Sequence, residues 1–202
     1  MINLRAYLDL LRREGEIVEI DTPVSADLEV AEIHRRVIAA GGPALLFRHV
    51  EGADFPCVTN LFGTPKRVDL AFGPRPGRFI RELVTLAQDL PSLSPGKLWG
   101  HRGLAREALR VGMKTVSGAP VTACRQTDPD LTHLPLLKTW PEDGGHFVTL
   151  PLVYTEHPDT GHHNLGMYRI QRYDAQTLGV HWQIQKGGGF HYDVAESRGE
   201  AL

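Results

Sequence analysis

The segment from Leu178 to Gln185 alternates apolar and polar residues. It predicts a strand with Leu178, Val180, Trp182 and Ile184 on one face and Gly179, His181, Gln183 and Gln185 on the other. On a half-solvated sheet the polar face is simply the wet one. Lys186-Gly187-Gly188-Gly189, directly downstream, adds a second reading for that face. Three glycines permit close backbone approach to a ligand, and their N–H groups beside an ammonium suit a phosphate. This Lys-Gly-Gly-Gly segment reads as a turn, and its spacing is neither that of a Walker loop nor that of a dinucleotide-binding fingerprint. Upstream, Asn164, Gly166, Met167, Tyr168 and Arg169 gather an amide oxygen, a phenol and a guanidinium within one short stretch. The odd offset between Asn164 and Arg169 places them on opposite faces of a regular strand. One site can use both only if the strand bulges, at Gly166 for instance, or if one of them acts from the strand end.

Other residues with chemical potential have simpler readings. Pro141-Glu142-Asp143-Gly144-Gly145-His146 is either a surface turn or a loop edging a site on the strands that follow. His157, His162 and His163 share a turn with Asp159 and Gly161 and match no HExxH-type ligand set, so a solvated turn accounts for them. His34 falls at the core edge of a helix face. Cys57 and Cys124 form no CxxC pair and read as small buried hydrophobes.

The elements that must position these residues follow from periodicity. Leu4, Tyr7, Leu8 and Leu11 predict a first helix, capped by Asn3 and ended at Gly15. Glu16–Ile20 reads as a strand, and about Asp27 to Ala40 as a helix with Val30, Ile33, His34, Val37 and Ile38 on one face. Ala44–Phe47 and Pro56–Asn60 are further strands. Phe79, Ile80, Leu83, Val84, Ala87 and Leu90 predict a third helix ended by Pro91, and about Gly103 to Arg110 a weaker fourth. After Met113 three strands are expected, at Val148–Thr155, Asn164–Gln171 and Leu178–Gln185. Pro151 marks an edge or bulge in the first, and turns at His157–Gly161 and Tyr173–Thr177 join them into an antiparallel meander. Two domains result, an α/β domain over 1–112 and a second over 113–202.

Composition narrows the class. The chain has 202 residues, 42% of them hydrophobic and 23% charged, as in ordinary globular proteins. Lys and Arg number 22 and Asp and Glu 24, a net charge of −2, so no global basic field invites nucleic acid. Two cysteines argue against a disulfide scaffold, and no apolar run approaches the ~20 residues of a membrane span. The amino terminus lacks a signal-peptide profile, so a cytoplasmic location is expected.

Asn164-Leu-Gly-Met-Tyr-Arg169, followed by His181-Trp-Gln183 and Lys186-Gly187, resembles the UbiD-type decarboxylases, relatives of 3-polyprenyl-4-hydroxybenzoate carboxy-lyase. Asp21-Thr-Pro-Val-Ser25, Val58-Thr-Asn-Leu-Phe-Gly63, Leu136-Leu-Lys-Thr-Trp-Pro141 and Gly144-Gly-His-Phe147 also resemble family segments, so the likeness runs along nearly the whole chain. It implies an α/β N-terminal domain followed by the start of a split β-barrel that carries prenylated FMN. It also implies reversible, non-oxidative decarboxylation of aromatic or α,β-unsaturated carboxylic acids, with a divalent metal, usually Mn2+, and K+ near the cofactor phosphate. Met167, Tyr168, Arg169, His181, Trp182, Gln183, Lys186 and Gly187 match the cofactor-binding positions, Arg169 the catalytic arginine, and Asn164 and Gln185 the metal positions. Many family members carry His where this chain has Gln185, which offers a carbonyl oxygen but no imidazole.

By the same resemblance, a flavin prenyltransferase supplies the cofactor and a C-terminal domain makes a homo-oligomer. A metal-binding glutamate and two catalytic glutamates lie further along than residue 202, so the chain alone is expected to be inactive. Benzoate-type precursors of quinones such as ubiquinone or menaquinone, naphthoates and phenylacrylates all remain open as substrates. Two other readings stand beside this one. One is a non-catalytic flavin- or partner-binding module derived from such an enzyme; the other is a histidine-based metal hydrolase, which rests on histidine count alone.

Overall fold

A computed structural model describes residues 3–73, 75–89, 99, 102–108, 117–183 and 185–202. The chain divides into two compact units, neither continuous in sequence: 1–16 with 61–127, and 17–60 with 128–202. Among the described residues no helix is long and apolar enough to cross a membrane.

In the first unit, helix α1 (Leu4–Arg13) begins where the Asn3 side chain accepts the Ala6 N–H at 2.9 Å, as its sequence predicts. Its buried residues are Tyr7 and Leu11, one turn apart. Helix α3 (Pro65–Phe72) packs against α1 and was not expected. Thr64 caps it and Pro65 occupies its first turn, a start signal that its weak apolar pattern obscured. Helices α4 (Arg75–Asp89) and α5 (Arg102–Ala108) match the third and fourth helices. Leu90, Pro91, Leu109 and Arg110, the ends assigned to them, lie outside the described residues.

Two polar contacts fix the α1–α3 pair. The buried Tyr7 hydroxyl lies 2.9 and 2.7 Å from the carbonyls of Leu61 and Arg67. Arg67 is buried, and its Nη1 donates to Glu16 at 3.1 Å, while Lys66 reaches the other Glu16 oxygen at 2.8 Å. The hydrogen bond from Lys66, and then that from Arg67, hold the Glu16 carboxyl below its ordinary range against the opposing effect of burial.

The second unit is built on a three-stranded sheet ordered β1 (Ile17–Ile20), β2 (Ala44–Phe47), β3 (Cys57–Thr59). β1 and β2 are parallel, joined through helix α2 (Glu29–Ala39), and β3 is antiparallel to β2. β2 is buried at all four positions, which explains its unbroken apolar run. Leu45 and Phe47 pack with Val24, Val30, Val50 and Leu137 in the core, and Ile33, Val37 and Cys57 flank them. Helix α2 starts at Glu29, two residues later than expected, after Leu28 takes a positive φ of 68°.

A strap of residues 136–139 ties this sheet to the remaining strands. Lys138 exchanges backbone hydrogen bonds with Ala26 and Leu28, and Leu137 exchanges them with Phe147. Beyond it lie β4 (His146–Val148), β5 (Leu152–Glu156), β6 (His163–Met167), β7 (Ile170–Arg172) and β8 (Leu178–Val180). They form two sheets, β4-β7-β8 and β5-β6, all antiparallel. The expected three-strand meander is therefore corrected, because each of its first two strands is divided between the two sheets. Val148 pairs with Ile170 and Leu152 with Met167, so three residues, 149–151, face two, 168 and 169. This is a bulge-like interruption, and Pro151, which has no N–H, sits within it as its sequence position predicted. The expected third strand also ends early, at Val180. Among the described residues none of these sheets closes into a barrel.

The Lys186–Gly189 segment is a second correction. It is not a turn but the beginning of helix α6 (Gly187–Ser197), which packs on β5 and β6.

Two measurements check the first unit. Tyr7→Phe is expected to cost about 1–2 kcal/mol in urea unfolding, by leaving a buried carbonyl, that of Arg67, and a part-buried one, that of Leu61, without their donor. Glu16 has its folded pKa below the unfolded one, so its ion pairs stabilise at neutral pH and that stability is lost as pH falls through the carboxylate range. Glu16→Gln should therefore lower the unfolding midpoint at pH 7 and converge on the unsubstituted chain as pH falls and the folded Glu16 carboxyl becomes protonated.

Candidate functional site

Strand parity determines what the β5–β6 pair presents to α6. Val153, Thr155, Asn164 and Gly166 alternate with Leu152, Tyr154, Leu165 and Met167, and these last four are exposed. On the helix side, the Thr155 hydroxyl and His191 Nδ1 are 2.9 Å apart in a buried contact. Burial, then the neighbouring His157 and His162, pushes the His191 pKa down. Asn164 lies against Gly187 so closely that a Cβ there would stand 2.5 Å from Asn164 Oδ1.

Tyr168 follows β6 directly and is 3% exposed. Its hydroxyl accepts the Gly188 N–H at 2.8 Å and lies 3.4 Å from Asn164 Nδ2, which donates toward it. Trp182 meets the Tyr168 ring edge-on at 5.0 Å and stacks on Tyr192 at 5.9 Å, and Lys186 Nζ stands 5.7 Å from the Tyr168 ring centre. Gly166 and Gly188 are required by this packing. A Cβ on Gly166 would strike the Tyr168 ring, and one on Gly188 would come within 2.7 Å of the Tyr168 oxygen and 2.8 Å of Trp182. Asn164, Tyr168, Trp182, Lys186 and Gly187 thus come together at the start of α6, joined by Gly188 and Tyr192. These last two were missed because the glycines read as a turn. The i, i+4 step from Gly188 to Tyr192 was the available signal.

Arg169 belongs to a different group. Its Nη1 and Nη2 donate to the two Asp143 oxygens at 3.1 and 2.8 Å, Nη2 also reaches Thr139 Oγ1 at 3.2 Å, and its guanidinium carbon stands 3.6 Å over the Phe147 ring. The guanidinium, first, holds the Asp143 carboxyl far below the usual carboxylate range. Thr139 and Phe147 also line a cavity of about 940 Å3, whose walls include Leu28, Ile38, Val58 and Leu150. His34 is on the same wall; burial lowers its pKa, and its Nδ1 has no hydrogen-bond partner among the described residues.

The remaining residues are spread around these groups. Met167 is 53% exposed, on the face of β6 away from Asn164. His181 and Gln183 are exposed beyond β8, and the Gln183 carbonyl accepts the Lys186 N–H at 3.2 Å. Gln185 is exposed with φ 74°; Ile184 lies outside the described residues. His163 contacts Tyr154, and His157 meets His191 edge-on. Burial lifts the Cys57 thiol to about 11, consistent with an inert role, whereas Cys124 is exposed, which corrects its reading as a buried residue.

Two family models match this chain. One, described as the 3-octaprenyl-4-hydroxybenzoate carboxy-lyase N-terminal domain, covers residues 8–87, and the other, the Rift-related domain of the same enzyme, covers 114–202. The chain belongs to the UbiD family. Among its relatives, an uncharacterized protein of Chlamydia muridarum is 50% identical over all of this chain and 35% of its own length. A Chlamydia pneumoniae protein, named as one subunit of a 4-hydroxybenzoate decarboxylase, is 47% identical over 98% of this chain and 34% of its own length. The chain thus spans about a third of these curated relatives. The solved UbiD-class enzyme HmfF from Pelotomaculum thermopropionicum, in an evolved dimeric form with prFMN, superposes with a TM-score of 0.75 at 24% identity. The match covers 97% of this chain and 42% of that one. Sedimentibacter hydroxybenzoicus vanillic acid decarboxylase gives 0.77 at 22% identity, over 99% and 41%. These structures show a shared UbiD-class fold.

Within this UbiD-family chain the start of α6 suits the phosphate of a flavin. Its N-cap is Lys186, whose own side chain makes no capping hydrogen bond, and its first residues are glycines, of which Gly188 already donates its N–H to Tyr168. A divalent metal is not matched in the same way. Asn164 and Gln185 are neutral oxygen donors, and among the described residues no three His, Cys, Asp or Glu side chains stand together.

Gly188→Val is expected to expel Tyr168 from its buried position and to change Trp182 fluorescence. Tyr168→Phe should keep the ring packing and lower stability by about 1–2 kcal/mol through the unpaired Gly188 N–H, read by thermal unfolding.

Proposed function

We propose that this chain is the N-terminal portion of a prenylated-FMN-dependent carboxy-lyase. It acts on an aromatic or α,β-unsaturated carboxylic acid, without oxidation, in quinone or aromatic-acid metabolism. The observation that carries the reading is the glycine-rich, lysine-led start of α6, where the Lys186 side chain makes no capping hydrogen bond and Tyr168 and Trp182 pack against the first turn. Lys186 and the first-turn backbone N–H groups of α6 other than that of Gly188, which Tyr168 takes, hold the flavin phosphate, and Gly187 and Gly188 let Asn164, Tyr168 and Trp182 pack against that turn. Tyr168 and Trp182 fix that helix start from below, and Met167, His181 and Gln183 border the cofactor. The chemistry that such a flavin supplies when bound is an electron sink for the charge left on carbon as carbon dioxide departs. Arg169, which in this structure is paired with Asp143 and lies over the Phe147 ring, is the group that holds the substrate carboxylate. No step is assigned to Mn2+ or K+, because Asn164 and Gln185 bring no charge to the site.

Residues from 113 onward are the beginning of the split barrel, a reading supported by the Rift-related family model over 114–202. Partner subunits are supported by the Chlamydia pneumoniae relative, whose name makes it one subunit of a decarboxylase, and by the Sedimentibacter enzyme, named ShVdcCD. A flavin prenyltransferase supplies the cofactor.

Titrating FMN and riboflavin into the purified chain tests the phosphate site. FMN is expected to bind tighter, and Lys186→Ala to remove about tenfold of that advantage, the weight of one charge-assisted hydrogen bond. Equal affinities for the two flavins in both proteins would overturn the assignment. In the complete enzyme, Arg169→Ala should abolish decarboxylation while leaving the fold intact by circular dichroism. Normal turnover by that variant would remove Arg169 from the reaction.

A further inference from the structure

A guanidinium has five N–H bonds to donate, arranged as an end-on fork between Nη1 and Nη2 and a side-on fork between Nε and Nη2. In Arg169 the end-on fork is already taken, since Nη1 and Nη2 reach Asp143 Oδ1 and Oδ2. The second Nη2 hydrogen serves Thr139 Oγ1, which removes one prong of the side-on fork. The two N–H bonds left over, on Nε and Nη1, point away from each other and cannot grip one carboxylate together.

Asp143 is fastened as firmly as the arginine. Its Oδ2 accepts the backbone N–H groups of Thr139 and Trp140, each at 3.2 Å, and the Thr139 hydroxyl at 2.8 Å. Its side chain is 11% exposed, against 42% for Arg169. A planar carboxylate from the chain itself therefore occupies the position on Arg169 that a ligand carboxylate would take, while the arginine stays open to solvent. Gly144 and Gly145 follow Asp143; Gly145 has φ 152°, and the Gln171 side chain donates to the Gly144 carbonyl at 2.9 Å.

We propose that Asp143 is an affinity- and specificity-setting partner of Arg169: a carboxylic acid binds the guanidinium by displacing the Asp143 carboxylate. This rests on the reading of Arg169 as the carboxylate-binding group. Only a ligand with two coplanar, negatively charged oxygens replaces what Asp143 provides, so neutral amides and esters of the same acid are excluded. Asp143 is a positioning residue and does not touch the reacting atoms. Because it competes with the ligand, its loss strengthens carboxylate binding, whereas loss of a merely structural residue would weaken it.

The test is an NMR titration of this chain with benzoate at constant ionic strength, following the Asp143 carboxyl carbon and the Arg169 guanidinium nitrogens, with benzamide as the neutral control. Both signals are expected to move together and saturate at the same benzoate concentration, and benzamide to move neither. Asp143→Asn, whose amide oxygen can keep the Thr139 and Trp140 bonds, is expected to bind benzoate about tenfold tighter. The proposal is overturned if the Arg169 signal saturates while Asp143 stays fixed, or if Asp143→Asn binds benzoate equally or more weakly. Should that variant not fold, the coupled shift in the unsubstituted chain decides alone. An Arg169 signal that benzoate leaves unmoved in both proteins would overturn this proposal together with the carboxylate-binding role of Arg169; the other negative outcomes leave that role standing.

Discussion

The mismatch of three residues against two in the long hairpin governs the second unit. Without it, residues 146–156 and 163–172 would run as one regular ladder, and Tyr168 and Arg169 would sit within it. With it, β6 ends at Met167 and β7 begins at Ile170, and the two residues between them are free of strand pairing. Tyr168 turns under α6 and Arg169 turns to Asp143 and Phe147. A local irregularity of backbone pairing thus sends neighbouring side chains to separate tasks, one buried and structural, one charged and open to solvent.

The two groups differ in how they are stabilised. Around Tyr168 the contacts are rings, glycines and one buried N–H···O bond, so the arrangement depends on close fit and tolerates no added methyl group at Gly188. Around Arg169 the contacts are charged and partly hydrated, so they are worth less individually and can be exchanged for equivalent partners. Rigidity therefore belongs to the helix start, and exchange to the arginine.

Sequence periodicity located most elements of both units because their apolar residues do the packing. Ala44–Phe47 is the strand the sequence predicts, residue for residue, since a wholly buried strand carries its signal in every position. In α1 the buried Leu11 carries the same kind of signal, while Asn3 marks the start by its side-chain cap on the Ala6 N–H. What failed was whatever depended on distant partners. Gly187–Gly189 has almost no intrinsic preference for helix, and Tyr168, twenty positions upstream of Gly188, supplies a buried acceptor for its first turn. The division of the expected strands was half legible: Pro151 announced the irregularity, but the register that sets three residues against two exists only once both strands are paired. Of the cluster at α6, Asn164, Tyr168, Trp182, Lys186 and Gly187 were named from their motif, and Arg169 was named with them although its contacts lie elsewhere. The alternation argument had already set Arg169 apart from Asn164 by parity.

The glycine-rich opening of α6 has a thermodynamic side as well. Each glycine surrenders more chain entropy on entering a helix than any other residue, about 1 kcal/mol relative to alanine, and here three do so in succession at the end where peptide dipoles leave uncompensated positive charge. Any anion seated there binds the wound state and not the frayed one. By mass action it would lend the helix its own binding free energy, so that order in the first turn of α6 rises and falls with the occupancy of the site.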